Sequence, residues 1–141
     1  MNVYREEVKI KTSKRVEIID ITDEIKKVVS SCNARDGIVH LWVPHTTATI
    51  TVNERDPDLW IDILEAFERV APLSGDYRHN RRYAGIPSEQ NAHAHIISSF
   101  LKPDIVVPLE RGKLTLGTWQ SILFVELDGP RSRRVIVRVY W

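Results

Sequence analysis

The sequence predicts an α+β fold: one domain over residues 1–141, a largely antiparallel β-sheet or sandwich carrying two or three helices. Three observations predict it. Runs of β-branched and apolar residues with period-two alternation lie near both ends of the chain and between residues 38 and 52. Two stretches, 25–32 and 59–70, place apolar residues at helical spacing. No internal repeat, low-complexity segment or linker divides the chain.

Each element has its own justification. From Val3 to Thr12, Tyr4, Val8 and Ile10 oppose Arg5, Glu7, Lys9 and Lys11, which predicts a half-exposed strand. Ser13-Lys14 reads as a turn and Arg15 to Ile21 as the antiparallel partner of that strand. Thr22 is placed to cap a helix with Asp23 and Glu24 in its first turn and Ile25, Val28, Val29 and Cys32 on its apolar stripe. Ile38 to Val43 and Thr46 to Val52 are either two strands or one strand kinked at Pro44, whose nitrogen cannot donate to a ladder. Asp56-Pro57 starts a second helix through Leu59, Trp60, Ile63, Leu64, Phe67 and Val70. Residues 74–90 form one long irregular segment, of a kind more often functional than idle. Asn91 to Leu101 reads as a short helix capped by Asn91. Ile105 to Leu109, Lys113 to Leu127 with a bend at Gly117, and Arg133 to Trp141 supply the remaining strands.

Bulk properties narrow the function. With 43% hydrophobic and 28% charged residues, the 141-residue chain has the composition of a soluble domain with a real core. A net charge of +1 gives no global field for nucleic acid or an anionic membrane, and neither is expected as a partner. The single cysteine, Cys32, excludes an internal disulfide and a thiolate metal cluster. Without a signal-like apolar run or a membrane-length one, a cytoplasmic location is expected.

Three regions carry residues suited to chemistry. His45, His79 and His95 lie at a strand junction, in the long segment and in a helix's first turns, so a shared substrate or metal site needs the fold to gather them. On a helix, His93 and His95 point roughly 200° apart and cannot chelate together. His40, alternating with Trp42 in a strand, reads as structural. Glu54 can accept a proton or hold a metal-bound water, while Asp56 reads as a cap. Arg131, Arg133 and Arg134 follow Gly129-Pro130, and guanidinium forks match phosphate oxygens. Thr118, Gln120 and Glu126 look buried nearby and favour anion binding, with Trp119 read as core packing. No phosphate loop, nucleophile elbow or cysteine–histidine dyad occurs, which argues against covalent catalysis.

The sequence resembles the YjbQ family, whose members are described as secondary thiamine-phosphate synthases. The resemblance spans nearly the whole chain. It rests on His45-Thr46-Thr47-Ala48, Asn53-Glu54 with Asp56-Pro57 and Asp62, Tyr77-x-His79, and Asn91-Ala92-His93-Ala94-His95. Gly112-x-Leu114, Leu116-Gly117-Thr118-Trp119-Gln120 and Asp128-Gly129-Pro130-Arg131 complete it. Two departures stand out: a longer stretch between His79 and Asn91 with Asn80 at a commonly acidic position, and Lys102 where a glycine usually ends the third helix.

The resemblance implies a homotrimer that condenses a hydroxymethylpyrimidine diphosphate with a thiazole phosphate and releases pyrophosphate. It points to His45, His79 and His95 as the site histidines; with Glu54 they are the catalytic candidates, and Thr47, Asn53, Thr118, Gln120, Arg131 and Arg133 are the substrate-binding ones. A divalent metal, zinc or magnesium, on His45, His79 and His95 belongs to the same expectation. Two other functions fit the residues: a metal-dependent hydrolase of a small phosphorylated compound, and a non-catalytic trimeric ligand-binding protein.

Overall fold

Period-two burial sorts the strands into two antiparallel sheets in the computed structural model, which describes all 141 residues. In chain order the elements are β1 (Val3–Lys11), β2 (Glu17–Asp20), α1 (Thr22–Ser30), β3 (Gly37–Trp42), β4 (Ala48–Asn53) and α2 (Pro57–Val70). There follow α3 (Arg78–Arg82), α4 (Ala92–Phe100), β5 (Asp104–Glu110), β6 (Lys113–Leu114), β7 (Ser121–Glu126) and β8 (Ser132–Tyr140). One sheet has the order β1-β8-β3-β5-β6, the other β2-β7-β4. The α+β fold is as the sequence implies, with four helices rather than two or three.

The main core fills the space between the sheets. Val135, Val137 and Val139 of β8, Val39 and Leu41 of β3, and Ile50, Ile122 and Phe124 of the smaller sheet meet there, with Ile25, Val28 and Val29 of α1. A second core lies on the other side of the smaller sheet, where Ile18, Leu123, Val125 and Leu127 pack against Ala94 and Ile97 of α4 and the apolar stripe of α2. Alternate residues of β7 thus serve different cores, which is why its sequence reads as an unbroken apolar run.

Several connections differ from the sequence reading, and most share one cause. Three expected hairpins or single strands instead cross between sheets. The segment after β1 does not return along it; β2 pairs with β7, Glu17 opposite Glu126. β3 pairs with β5 and β8 whereas β4 pairs with β7, so Pro44 marks a change of sheet rather than a kink. The expected long strand 113–127 is two strands in different sheets, separated by the turn 115–120. In that turn Trp119 is 74% exposed, so it is not a core residue. Cys32 lies just beyond α1, half-buried against the main core.

The caps also differ. Asp56 accepts the N–H groups of Asp58 and Leu59 as expected. Thr22 does not cap α1: its hydroxyl donates to Asp20 at 2.6 Å and accepts the Ile122 N–H at 2.9 Å, stitching the helix to β7. Asn91 does not cap α4 either; its amide donates to Asp128 at 2.7 Å, and Asn80 Oδ1 accepts the Ala92 N–H at 3.1 Å. Residues 74–90 are correspondingly less irregular than expected, holding α3 and a single 3₁₀ turn at Pro87–Glu89.

Candidate functional site: a histidine groove flanked by cations

His45 owes its position to the end of β3. Beyond Trp42 that strand leaves the ladder beside β8, and the His45 ring takes over, Nε2 accepting the Arg134 N–H at 3.1 Å. A backbone N–H can only donate, so Nε2 is unprotonated and the neutral ring carries its proton on Nδ1. Burial pushes the His45 pKa down, and the nearby Arg133 charge adds to that.

His79 and His95 come together from α3 and α4, ring centroids 5.0 Å apart, with Tyr83 against His79. Asn80 Oδ1 lies 3.1 Å from His79 Nδ1 while accepting the Ala92 N–H, so His79 donates through Nδ1 and keeps Nε2 free. His95 also titrates low, first through burial and then through its neighbour His79. Burial thus favours the neutral form of the ring at both His45 and His95.

Surface depressions join these rings. His95 borders one of about 500 Å³ with Tyr77, Arg78, His79 and Arg81. It also borders one of about 310 Å³ with His45, Thr46, Thr49, Ser98 and Ser99. His45 in turn borders one of about 510 Å³ with Lys9, Lys11 and Arg134. Because His95 borders the first two and His45 the last two, the three depressions adjoin, with imidazoles in the middle and cations at both ends. Arg134 is paired with Glu7 at 2.9 Å and Arg81 with Asp76. An elongated molecule carrying negative charge at two places suits such a surface.

Not every expected residue belongs to it. Arg133 is 7% exposed and forks onto fully buried Glu126, Nε to Oε2 at 2.8 Å and Nη2 to Oε1 at 2.5 Å. The other Nη2–H reaches the Thr47 hydroxyl at 2.9 Å. Glu126 also accepts from Thr12 at 2.8 Å and from the Asp128 N–H at 2.9 Å. Burial pulls the Glu126 pKa up, but the Arg133 hydrogen bonds and the others outweigh it and the net direction is down. This is an ion pair between the two sheets. The signal for it was in β8: odd positions carry the inward valines, so Arg133 faces the core and Arg134 the solvent. Arg131 is half-exposed but folds back on Asp128 at 2.9 Å.

Thr47 is buried beneath Arg133, and Thr46 lines the groove in its place. Asn53 and Glu54 sit at the β4–α2 junction, where Asn53 Oδ1 accepts the Glu54 N–H and the Glu54 carbonyl accepts the Trp60 indole N–H at 3.0 Å. Thr118 and Gln120 are exposed rather than buried, and Gln120 lines a different depression with Lys102 and Asp104. His40 is held by Asp104 at 2.7 Å and stacks on Trp42. Lys9, Lys11, Arg78 and Arg81 escaped the sequence reading because on an exposed strand and a short helix they resemble ordinary solvated charges.

The metal expectation does not fit the residues as this chain places them. No three His, Cys, Asp or Glu side chains come close enough to hold an ion. His79 and His95 supply two imidazoles, and His45 already spends Nε2 on Arg134. No helix is long and apolar enough to cross a membrane.

Comparison with known proteins gives a single answer. The family model described as UPF0047 protein YjbQ-like matches residues 6–140. A UPF0047 protein of Archaeoglobus fulgidus is 49% identical over 132 residues, 94% of this chain and 98% of that one. YugU of Bacillus subtilis, also a UPF0047 protein, is 40% identical over 94% of this chain and 96% of its own length. The crystal structure of a YbjQ-like protein of unknown function from Sulfolobus solfataricus superposes with a TM-score of 0.90 at 37% identity, covering 98% of this chain and 96% of that one.

Proposed function

The chain belongs to the YjbQ-like UPF0047 family, and from that membership and the cation-flanked groove we propose a phosphate-handling transferase that makes thiamine phosphate. The observation that carries the reading is the run of imidazoles lining adjoining depressions with basic groups at either end. In the reaction, the thiazole nitrogen lone pair forms a bond to the pyrimidine methylene carbon as the carbon–oxygen bond to diphosphate breaks. Pyrophosphate leaves with the bonding pair, and no net proton moves.

The demand on the protein is therefore electrostatic. Lys9, Lys11 and Arg134 offset the charge gathering on the leaving diphosphate, with the His45 Nδ1–H as a neutral donor beside them. Arg78 and Arg81 hold the phosphate of the thiazole, and His95 sits between the two ends to align the reactants. Assembly as a homotrimer is part of the same proposal. Ile38, Trp42 and Val106 on the outer face of the larger sheet are exposed apolar groups of the kind an interface covers.

The test is direct synthesis by purified protein from the two phosphorylated substrates, following thiamine phosphate and pyrophosphate together. Stoichiometric formation is expected, with His95→Ala slower by at least about tenfold and Lys9→Ala/Lys11→Ala raised in KM. Sedimentation should give three times the chain mass. Folded protein that binds the diphosphate without turnover would replace this reading with a ligand-binding module, and a wild-type rate in His95→Ala would remove the groove from the chemistry.

A further inference from the structure

Pro44, His45 and Thr46 cross from one sheet to the other without a backbone hydrogen bond of their own. The crossing is anchored at its ends. The Val43 N–H donates to the Pro103 carbonyl at 2.7 Å, and the Thr47 carbonyl accepts the Leu127 N–H at 3.1 Å. Two more attachments come from adjacent residues of β8. One Nη2–H of Arg133 is shared between the Thr47 hydroxyl oxygen at 2.9 Å and the Thr47 carbonyl at 3.3 Å. The Arg134 N–H donates to His45 Nε2 at 3.1 Å. Arg133 is itself fixed by the carboxylate of Glu126, which is fully buried and also accepts from Thr12 and from the Asp128 N–H.

We infer that Arg133 is a positioning residue for the thiamine phosphate reaction: by holding Thr47 against β8 it sets the His45 ring on the Arg134 N–H and leaves Nδ1–H as the donor offered to the leaving diphosphate. The reaction rests on the functional reading; the hold itself does not. A buried ion pair is a poor way to gain stability, since an apolar pair of similar volume is often as stable or more so. What apolar groups cannot do is fix a direction, and a forked guanidinium does. Its two ends here are Glu126 and Thr47, and Thr47 is two residues from His45. The tautomer of an imidazole is set by the bond its other nitrogen makes. Once Thr47 is released, Nε2 can leave the Arg134 N–H and the proton can occupy either nitrogen. A mis-set donor slows the chemical step more than it weakens binding. Lys9 and Lys11, which meet the diphosphate, stand on β1 and are not carried by the crossing.

Three variants separate this hold from mere packing. Thr47→Val keeps the shape and removes the hydroxyl, Thr47→Ser keeps the hydroxyl, and Arg133→Lys keeps the charge on Glu126 but loses the fork. Nitrogen NMR of the free protein reports which ring nitrogen of His45 carries the proton. Wild type and Thr47→Ser should show Nδ1 protonated and Nε2 bare, while Thr47→Val and Arg133→Lys should show the two drawn toward an average. In the synthesis assay kcat should fall about tenfold in those two variants, with KM for the diphosphate substrate within about twofold, and Thr47→Ser should match wild type. A wild-type His45 spectrum in folded Thr47→Val would overturn the hold. An altered spectrum with wild-type kcat would overturn its part in the reaction. Should wild type make no product, the functional reading fails and the spectra still decide whether Arg133 sets the ring. Should Arg133→Lys fail to fold, the two Thr47 variants decide.

Discussion

Arg133 and Arg134 are neighbours in sequence with opposite employment. The first forks onto fully buried Glu126; the second faces solvent beside His45 and meets Glu7. Removing one member of a buried pair strands the other charge, at a cost of about 3–5 kcal/mol. Arg133→Met should therefore lower unfolding free energy by that amount in urea titration, whereas Arg134→Met should change it by about 1 kcal/mol or less. Inorganic diphosphate binding, measured by calorimetry at low salt, should respond in the reverse order, weakening in Arg134→Met. A stable Arg133→Met protein would refute the structural role given to the pair. Alternation alone could have separated the two residues, but the run of three arginines after Gly-Pro drew them together as one cluster.

At the element scale, helices α1, α2 and α4 and most strands were legible because each carries its own periodicity. What periodicity gives is the inward face of a strand; which sheet the strand joins depends on partners distant in sequence. That is why β1 and β2 read as a hairpin and residues 113–127 as one strand. The cap of α4 was hidden for the same reason, since Asn80 reaches it from eleven positions before Asn91, a span crossed only once α3 has folded. Asn80 also orients His79. Asn80→Ala should cost about 1 kcal/mol of stability and speed amide exchange in the first turn of α4. It should also broaden the distribution of His79 tautomers seen by nitrogen NMR. Unchanged exchange at Ala92 and Ala94 would show that the cap is dispensable. His45, His79 and His95 were nameable from sequence as functional candidates, and the fold sets His79 against His95 and puts His95 and His45 on one depression; the nearby cations were not, because an exposed lysine carries no mark of what it faces.

For the molecule as a whole, charge states set an acid boundary. His45, His93 and His95 all have folded pKa values below their ordinary one, and Glu126 likewise. In each case the unfolded chain binds the proton more readily, so stability is complete above the unfolded pKa and declines as pH falls toward the folded one. The histidine contributions should fade first, below about pH 6.5, and the Glu126 contribution below about pH 4.5. Thermal unfolding followed by circular dichroism at pH 7.5, 5.5 and 4 should give midpoints that fall in that order. A flat or rising series would contradict the burial of these groups in the native state.

Gly129 illustrates how tightly the same region is closed: a Cβ there would lie 2.2 Å from the Lys14 carbonyl oxygen and 2.9 Å from Thr12 Oγ1. Yet the wider consequence belongs to β7. Its even-numbered side chains are sealed between the sheets and its odd-numbered ones beneath the helices. Peeling α2 and α4 away would wet Leu123 and Val125 on the very strand that anchors the other layer. Neither half can melt by itself, and cooperativity is thereby written into a single six-residue segment.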